Sequence, residues 1–76
     1  LYKCDFIFLG SSENLTVIQK DLEEEEFVTI SNQDERLVMQ RELPLDLRTI
    51  SHFTTYMLMS SMAQDCVFDG WGCHIG

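Results

Sequence analysis

The sequence predicts an α+β domain in which two helices cover one face of a four-stranded antiparallel sheet. Three observations carry this expectation. The chain has 76 residues, enough for one domain spanning 1–76, and its 45% hydrophobic content is too high for a disordered segment. Apolar residues recur with period two in four stretches and with helical spacing in two more. Turn residues punctuate these stretches in the order strand, helix, strand, strand, helix, strand.

The first strand reads from Tyr2 to Leu9. Cys4, Phe6 and Phe8 share one face, while Asp5, Ile7 and Leu9 share the other. Apolar residues on both faces suit a central strand. Gly10-Ser11-Ser12 then turns the chain, and Ser11 or Ser12 can cap a helix whose first turn holds Glu13. Leu15, Ile18 and Leu22 form one apolar stripe, so the helix spans about Ser12 to Glu24. The acidic run Glu23 to Glu26 closes it, against the helix dipole and against like-charge repulsion.

Phe27 to Ile30 reads as a short second strand and Ser31-Asn32-Gln33-Asp34 as a polar connection. Arg36 to Leu43 is the third strand, with Leu37, Met39 and Leu43 on one face and Val38, Gln40 and Glu42 on the other. The two strands form a hairpin. Pro44 ends the third strand, because it cannot donate to a ladder. Asp46 is the N-cap of a second helix running to about Gln64, with Leu45 and Ile50 at hydrophobic-staple spacing. Its main stripe is Leu47, Ile50, Thr54, Met57, Leu58 and Ser61, with Phe53, Tyr56 and Met59 to the side and the Met residues as core filler. Cys66 to Ile75 is the last strand. Two right-handed crossovers joined by a hairpin give the ferredoxin-like βαββαβ sandwich, with the first and third strands central.

Charge narrows the partners. Thirteen acidic residues against five basic ones leave a formal net charge of −8. Such a surface repels nucleic-acid phosphates and suits a basic protein segment. No run approaches the ~20 apolar residues of a membrane span. The three cysteines, Cys4, Cys66 and Cys73, are odd in number and lack C-x-x-C spacing. That pattern argues against a disulfide framework and a structural zinc site, and favours reduced thiols in the cytoplasm. Leu1 at the first position marks a fragment or processed form.

The most distinctive stretch is Asp69-Gly70-Trp71-Gly72-Cys73, inside the last strand. Glycine within a strand marks a bulge or a close approach to the backbone. Trp71 is either a core tryptophan eased into place by its glycines or the centre of an interaction surface. Strict alternation puts Trp71 with Val67, Asp69, Cys73 and Ile75, and that set could form the open sheet face.

Phe68-Asp69-Gly70-Trp71-Gly72 resembles the Tyr-Asp-Gly-Trp-Gly-like motif of the regulator of ribonuclease E activity B family, with Phe68 in place of the tyrosine. Asp5 in the first strand, the helix ending in glutamates, Phe27 at the next strand and the long second helix are similar to that family across nearly the whole chain. The resemblance implies a small, acidic, non-catalytic cytoplasmic protein of bacterial type; no cofactor or metal is expected. It implies binding to a non-catalytic scaffold region of ribonuclease E, with inhibition of RNA processing.

The expected partner-binding residues are therefore Asp69, Gly70, Trp71 and Gly72 for shape, with Glu23, Glu24, Glu25 and Glu26 for attraction. The alternatives are a small enzyme or ligand-binding domain with a pocket around Asp5, Asp69 and Trp71, or an appended interaction or dimerisation domain. Catalytic and metal residues are not expected. Cys73 and His74 are neighbours on one strand and point to opposite faces, so they chelate poorly together.

Overall fold

The computed structural model describes residues 1–74. The element order is β1 (Tyr2–Leu9), α1 (Ser12–Glu24), β2 (Val28–Gln33), β3 (Arg36–Leu43), α2 (Leu47–Ala63) and β4 (Val67–His74). The strands form one antiparallel sheet in the order β2-β3-β1-β4. This is the ferredoxin-like arrangement, with β1 and β3 central. Ile75, assigned to the last strand by its sequence, lies outside the described residues.

The local signals set the helix starts. Ser11 Oγ accepts the Asn14 N–H at 3.3 Å, which caps α1. Asp46 caps α2 more firmly: the Thr49 N–H and hydroxyl donate to its two carboxylate oxygens at 2.8 and 2.9 Å. The backbone bond from Thr49, then its hydroxyl, hold the Asp46 carboxyl below its ordinary value.

Both helices end in a Schellman motif. At α1, the Phe27 N–H donates to the Leu22 carbonyl at 2.9 Å and the Glu26 N–H to the Glu23 carbonyl at 3.2 Å. At α2, the Cys66 N–H donates to the Ser61 carbonyl at 2.8 Å and the Asp65 N–H to the Met62 carbonyl at 3.2 Å. The left-handed position of each motif, usually glycine, is acidic: Glu26 has φ 69° and Asp65 has φ 54°.

The core lies between the sheet and the helices. Cys4, Phe6 and Phe8 of β1, Leu37, Met39 and Leu43 of β3, and Leu15, Ile18 and Leu22 of α1 are all buried there. All five phenylalanines form one chain of contacts: Phe8 to Phe68 at 5.4 Å, Phe68 to Phe6 at 6.4 Å, Phe6 to Phe27 at 5.7 Å and Phe27 to Phe53 at 5.9 Å. Gly10 is fixed by close approach, because a Cβ there would meet the Cys66 sulfur at 2.6 Å.

The structure corrects four expectations. First, β2 continues through Ser31, Asn32 and Gln33, and the hairpin turn is the pair Asp34-Glu35, both at positive φ (55° and 59°). Two consecutive left-handed residues match the twist of the flanking strands. No Asn-Gly marks the turn in the sequence, so its position is not legible there.

Second, α2 beds on a narrower line than its sequence stripe. Met57 and Ser61 are buried and Phe53 packs against the core, while Leu47, Leu58, Met59 and Met62 are exposed. Of the methionines in this helix, Met57 is the one that fills the core. The helix packs on β4, an outermost strand. A helix over a sheet edge has sheet beneath only part of its face.

Third, β4 bulges where it passes Ile7 and Phe8, and Asp69 is the extra residue. Gly70 beside it has φ 133°, a conformation that side-chain-bearing residues avoid. The bulge reverses the alternation that follows it. Val67 stays opposite Leu9 on the open face, but Trp71 pairs with Phe6 and Cys73 with Cys4, on the helix-facing side. Trp71 is thus separated from Val67, with which strict alternation grouped it, and lies on the side of Phe6.

Fourth, Cys4 and Cys73 are joined by a disulfide, with Cα atoms 4.1 Å apart. Cysteines are odd in number, yet two of them face each other across β1 and β4, and Cys66 is left buried and free. Pairing depended on strand register, which spacing along the chain does not reveal. The cysteine argument for a reducing compartment falls with it.

Candidate functional site

The expected site residues fall into two separate regions. The motif strand β4 is an outer edge of the sheet. Asp69 and Gly72 are exposed, Gly70 is half-buried, and Trp71 is 43% exposed. A Cβ at Gly70 or Gly72 would meet nothing within 4 Å. Gly70 therefore serves the bulge backbone, and neither glycine makes room for a packed neighbour. What the motif presents is a half-open indole beside an unpaired strand edge.

The second region is the end of α1. Glu23, Glu24, Glu25 and Glu26 are all exposed. The Glu23 carboxylate accepts the Thr29 hydroxyl at 3.1 Å. Among the described residues the one ion pair is Asp5 with His74, so none of the four glutamate carboxylates is paired with a cation. Charge, dipole and backbone all disfavour Glu26, which sits at a helix C-terminus in left-handed conformation.

Asp5 lies on the open sheet face, opposite Gly72 on one side and Gln40 on the other. Gln40 Nε2 donates to its Oδ1 at 2.9 Å, and His74 Nε2 lies 2.8 Å from its Oδ2. This carboxylate is satisfied by Gln40 and His74, not by Asp69. Trp71 lies on the other side of the sheet by register. Asp5, Asp69 and Trp71 are therefore not gathered around one pocket, and the ligand-site alternative loses its geometry.

The cysteines and histidines do not assemble chemistry together. Cys73 is bonded to Cys4, while His74 points to the opposite face toward Asp5. Burial, then the nearby Asp65 charge, push the Cys66 thiol up, so it stays protonated and poorly nucleophilic at neutral pH. Among the described residues no group of three or more His, Cys, Asp or Glu side chains is placed to hold a metal ion.

Sequence reasoning passed over a recess beside the acidic run. Glu25, Phe27, His52, Phe53 and Tyr56 line a space of about 190 Å³. Phe53 meets Phe27 edge-on at 5.9 Å and His52 edge-on at 5.2 Å. The Arg41 guanidinium lies 5.6 Å from the Phe27 ring centre and 5.4 Å from that of Phe53. Its Nη1 donates to the Glu25 carbonyl at 2.9 Å. One signal was available: Arg41 alternates with buried Met39 and Leu43, a cation on the core-facing side of β3.

No protein-family model, curated protein or solved structure matches this chain. No helix among the described residues is long and apolar enough to cross a membrane.

Proposed function

We propose that this domain is a non-catalytic protein-binding regulator that docks a basic segment of a ribonuclease E-like enzyme. The observation that carries the reading is the set of four exposed glutamates, Glu23 to Glu26, with no cation paired to them among the described residues. An acidic patch kept where local physics disfavours it suits a partner that supplies the missing positive charge. The −8 net charge extends the same field over the molecule and works against direct contact with nucleic acid. The Asp69-Gly70-Trp71-Gly72 motif and the ferredoxin-like fold are compatible with the resemblance to the ribonuclease E regulator family. Trp71 supplies an accessible aromatic contact next to an open strand edge. This reading puts the domain in the bacterial cytoplasm, where thiols are mostly kept reduced and the Cys4–Cys73 bond would be open, so the reduced protein must also bind.

The test is a titration with a synthetic basic segment of the ribonuclease E scaffold region, at two salt concentrations, with and without reductant. Saturable binding that weakens with salt is the expected result. Replacing Glu23, Glu24, Glu25 and Glu26 by glutamine should weaken it and flatten its salt dependence. Trp71→Ala should weaken it further while leaving the fold intact. Absence of binding at low salt would reject the named partner.

A further inference from the structure

We propose that the recess between the end of α1 and the middle of α2 holds a cationic side chain, a lysine or arginine of the basic partner segment. This rests on the protein-binding reading above and names its anchor point. Three features of the recess converge on that occupant. Its walls are aromatic, with Phe27, Phe53, Tyr56 and His52 around one space. Ring faces are electron-rich and attract cations within about 6 Å. Arg41 already rests against two of these rings at 5.4 and 5.6 Å, so the chain itself demonstrates the chemistry.

The charge at the rim has the complementary sign. Glu25 lines the recess, and its neighbours Glu23, Glu24 and Glu26 are exposed beside it. Arg41 engages the Glu25 carbonyl and leaves the carboxylate free to meet a second cation. One arginine does not cancel four glutamates, so the mouth of the recess remains acidic.

Size selects a side chain over a small molecule. The space of about 190 Å³ is smaller than the roughly 300–1,000 Å³ typical of small-molecule pockets. It is also open to solvent, since Tyr56 is 38% exposed and His52 is exposed. A long cationic side chain can lay its methylenes on the rings and bring its charge to Glu25.

The experiment is chemical-shift mapping of the isotopically labelled domain with N-acetyl-arginine amide, and with N-acetyl-norleucine amide as an uncharged control. The arginine probe is expected to shift Phe27, His52, Phe53 and Tyr56, and the norleucine probe to leave them unmoved. Tyr56→Ala, at an exposed position, should weaken the arginine probe by roughly two- to fivefold. Glu25→Gln should weaken it also. Shifts centred elsewhere, or equal response to the two probes, would overturn the proposal. The basic segment separates this proposal from the reading beneath it. If the arginine probe maps to the recess while the segment fails to bind, the recess stands and the ribonuclease reading falls. If the segment binds but Tyr56→Ala and Glu25→Gln leave its affinity unchanged, the recess is overturned and the reading stands.

Discussion

Glu26→Gly should make this domain more stable, and the structure says by how much. Glu26 closes the α1 Schellman motif at φ 69°, with its N–H donating to the Glu23 carbonyl. Left-handed backbone costs an ordinary L-residue roughly 1–2 kcal/mol, and glycine almost nothing. Glycine loses about 0.5–1 kcal/mol of that gain through its larger unfolded-state entropy. The net benefit of the backbone change is therefore about 0.7 kcal/mol. Glu26→Ala isolates it, because it removes the same charge and keeps the unfavourable φ. In thermal unfolding, the Glu26→Gly protein should melt about 3–6 °C above the Glu26→Ala protein, from a shift of roughly 4–8 °C per kcal/mol in a domain of this size. Both variants should lose the same salt-dependent affinity for the basic segment, since both lose the same carboxylate. An alanine variant as stable as the glycine variant would refute the argument that backbone strain is held at this glutamate.

Three further outcomes follow from the geometry. Reducing the Cys4–Cys73 bond, or replacing both cysteines by serine, opens a loop with a sequence separation of 69 and should cost about 4 kcal/mol by the loop-entropy relation. That is a large share of the roughly 4–11 kcal/mol expected for such a chain, so the urea midpoint should fall well below that of the oxidised protein, and an unchanged midpoint would count against the bond. Gly10→Ala drives a methyl into the Cys66 sulfur and should lose about 1–3 kcal/mol; Cys66→Ala should restore part of that loss in a double-mutant cycle, and strict additivity would place the clash elsewhere. The Asp46 carboxyl titrates lower in the folded than in the unfolded chain, so its contribution is complete above the ordinary value of 3.8 and is lost as pH falls through the folded value. Replacing it by asparagine should flatten that part of the acid-unfolding curve.

Much of the fold was legible in the sequence because it rests on short-range pattern. The alternation of Cys4, Phe6 and Phe8, the stripe Leu15, Ile18 and Leu22, and the caps Ser11 and Asp46 are properties of a few adjacent residues, and each stands where its pattern placed it. From these the element order follows, and with it a sheet with β1 and β3 at its centre. The exposure of Glu23 to Glu26 was equally readable, since four consecutive carboxylates resist burial.

The tertiary structure decided what depends on strand register and on which element covers which. One extra residue, Asp69, reverses the side on which Trp71 and Cys73 lie, and local alternation carries no mark of a bulge until the partner strand is present. The Cys4–Cys73 bond joins residues at opposite ends of the chain, and it follows from that register. The outer flank of α2 stays exposed because the sheet ends at β4 beneath it. The aromatic recess needs Phe27 from the start of β2, Phe53 and Tyr56 from α2 and Glu25 from the end of α1 in one place. Sequence fixes which side chains are available over a few residues of chain. Packing alone brings distant ones within the few ångströms at which rings, sulfurs and charges interact.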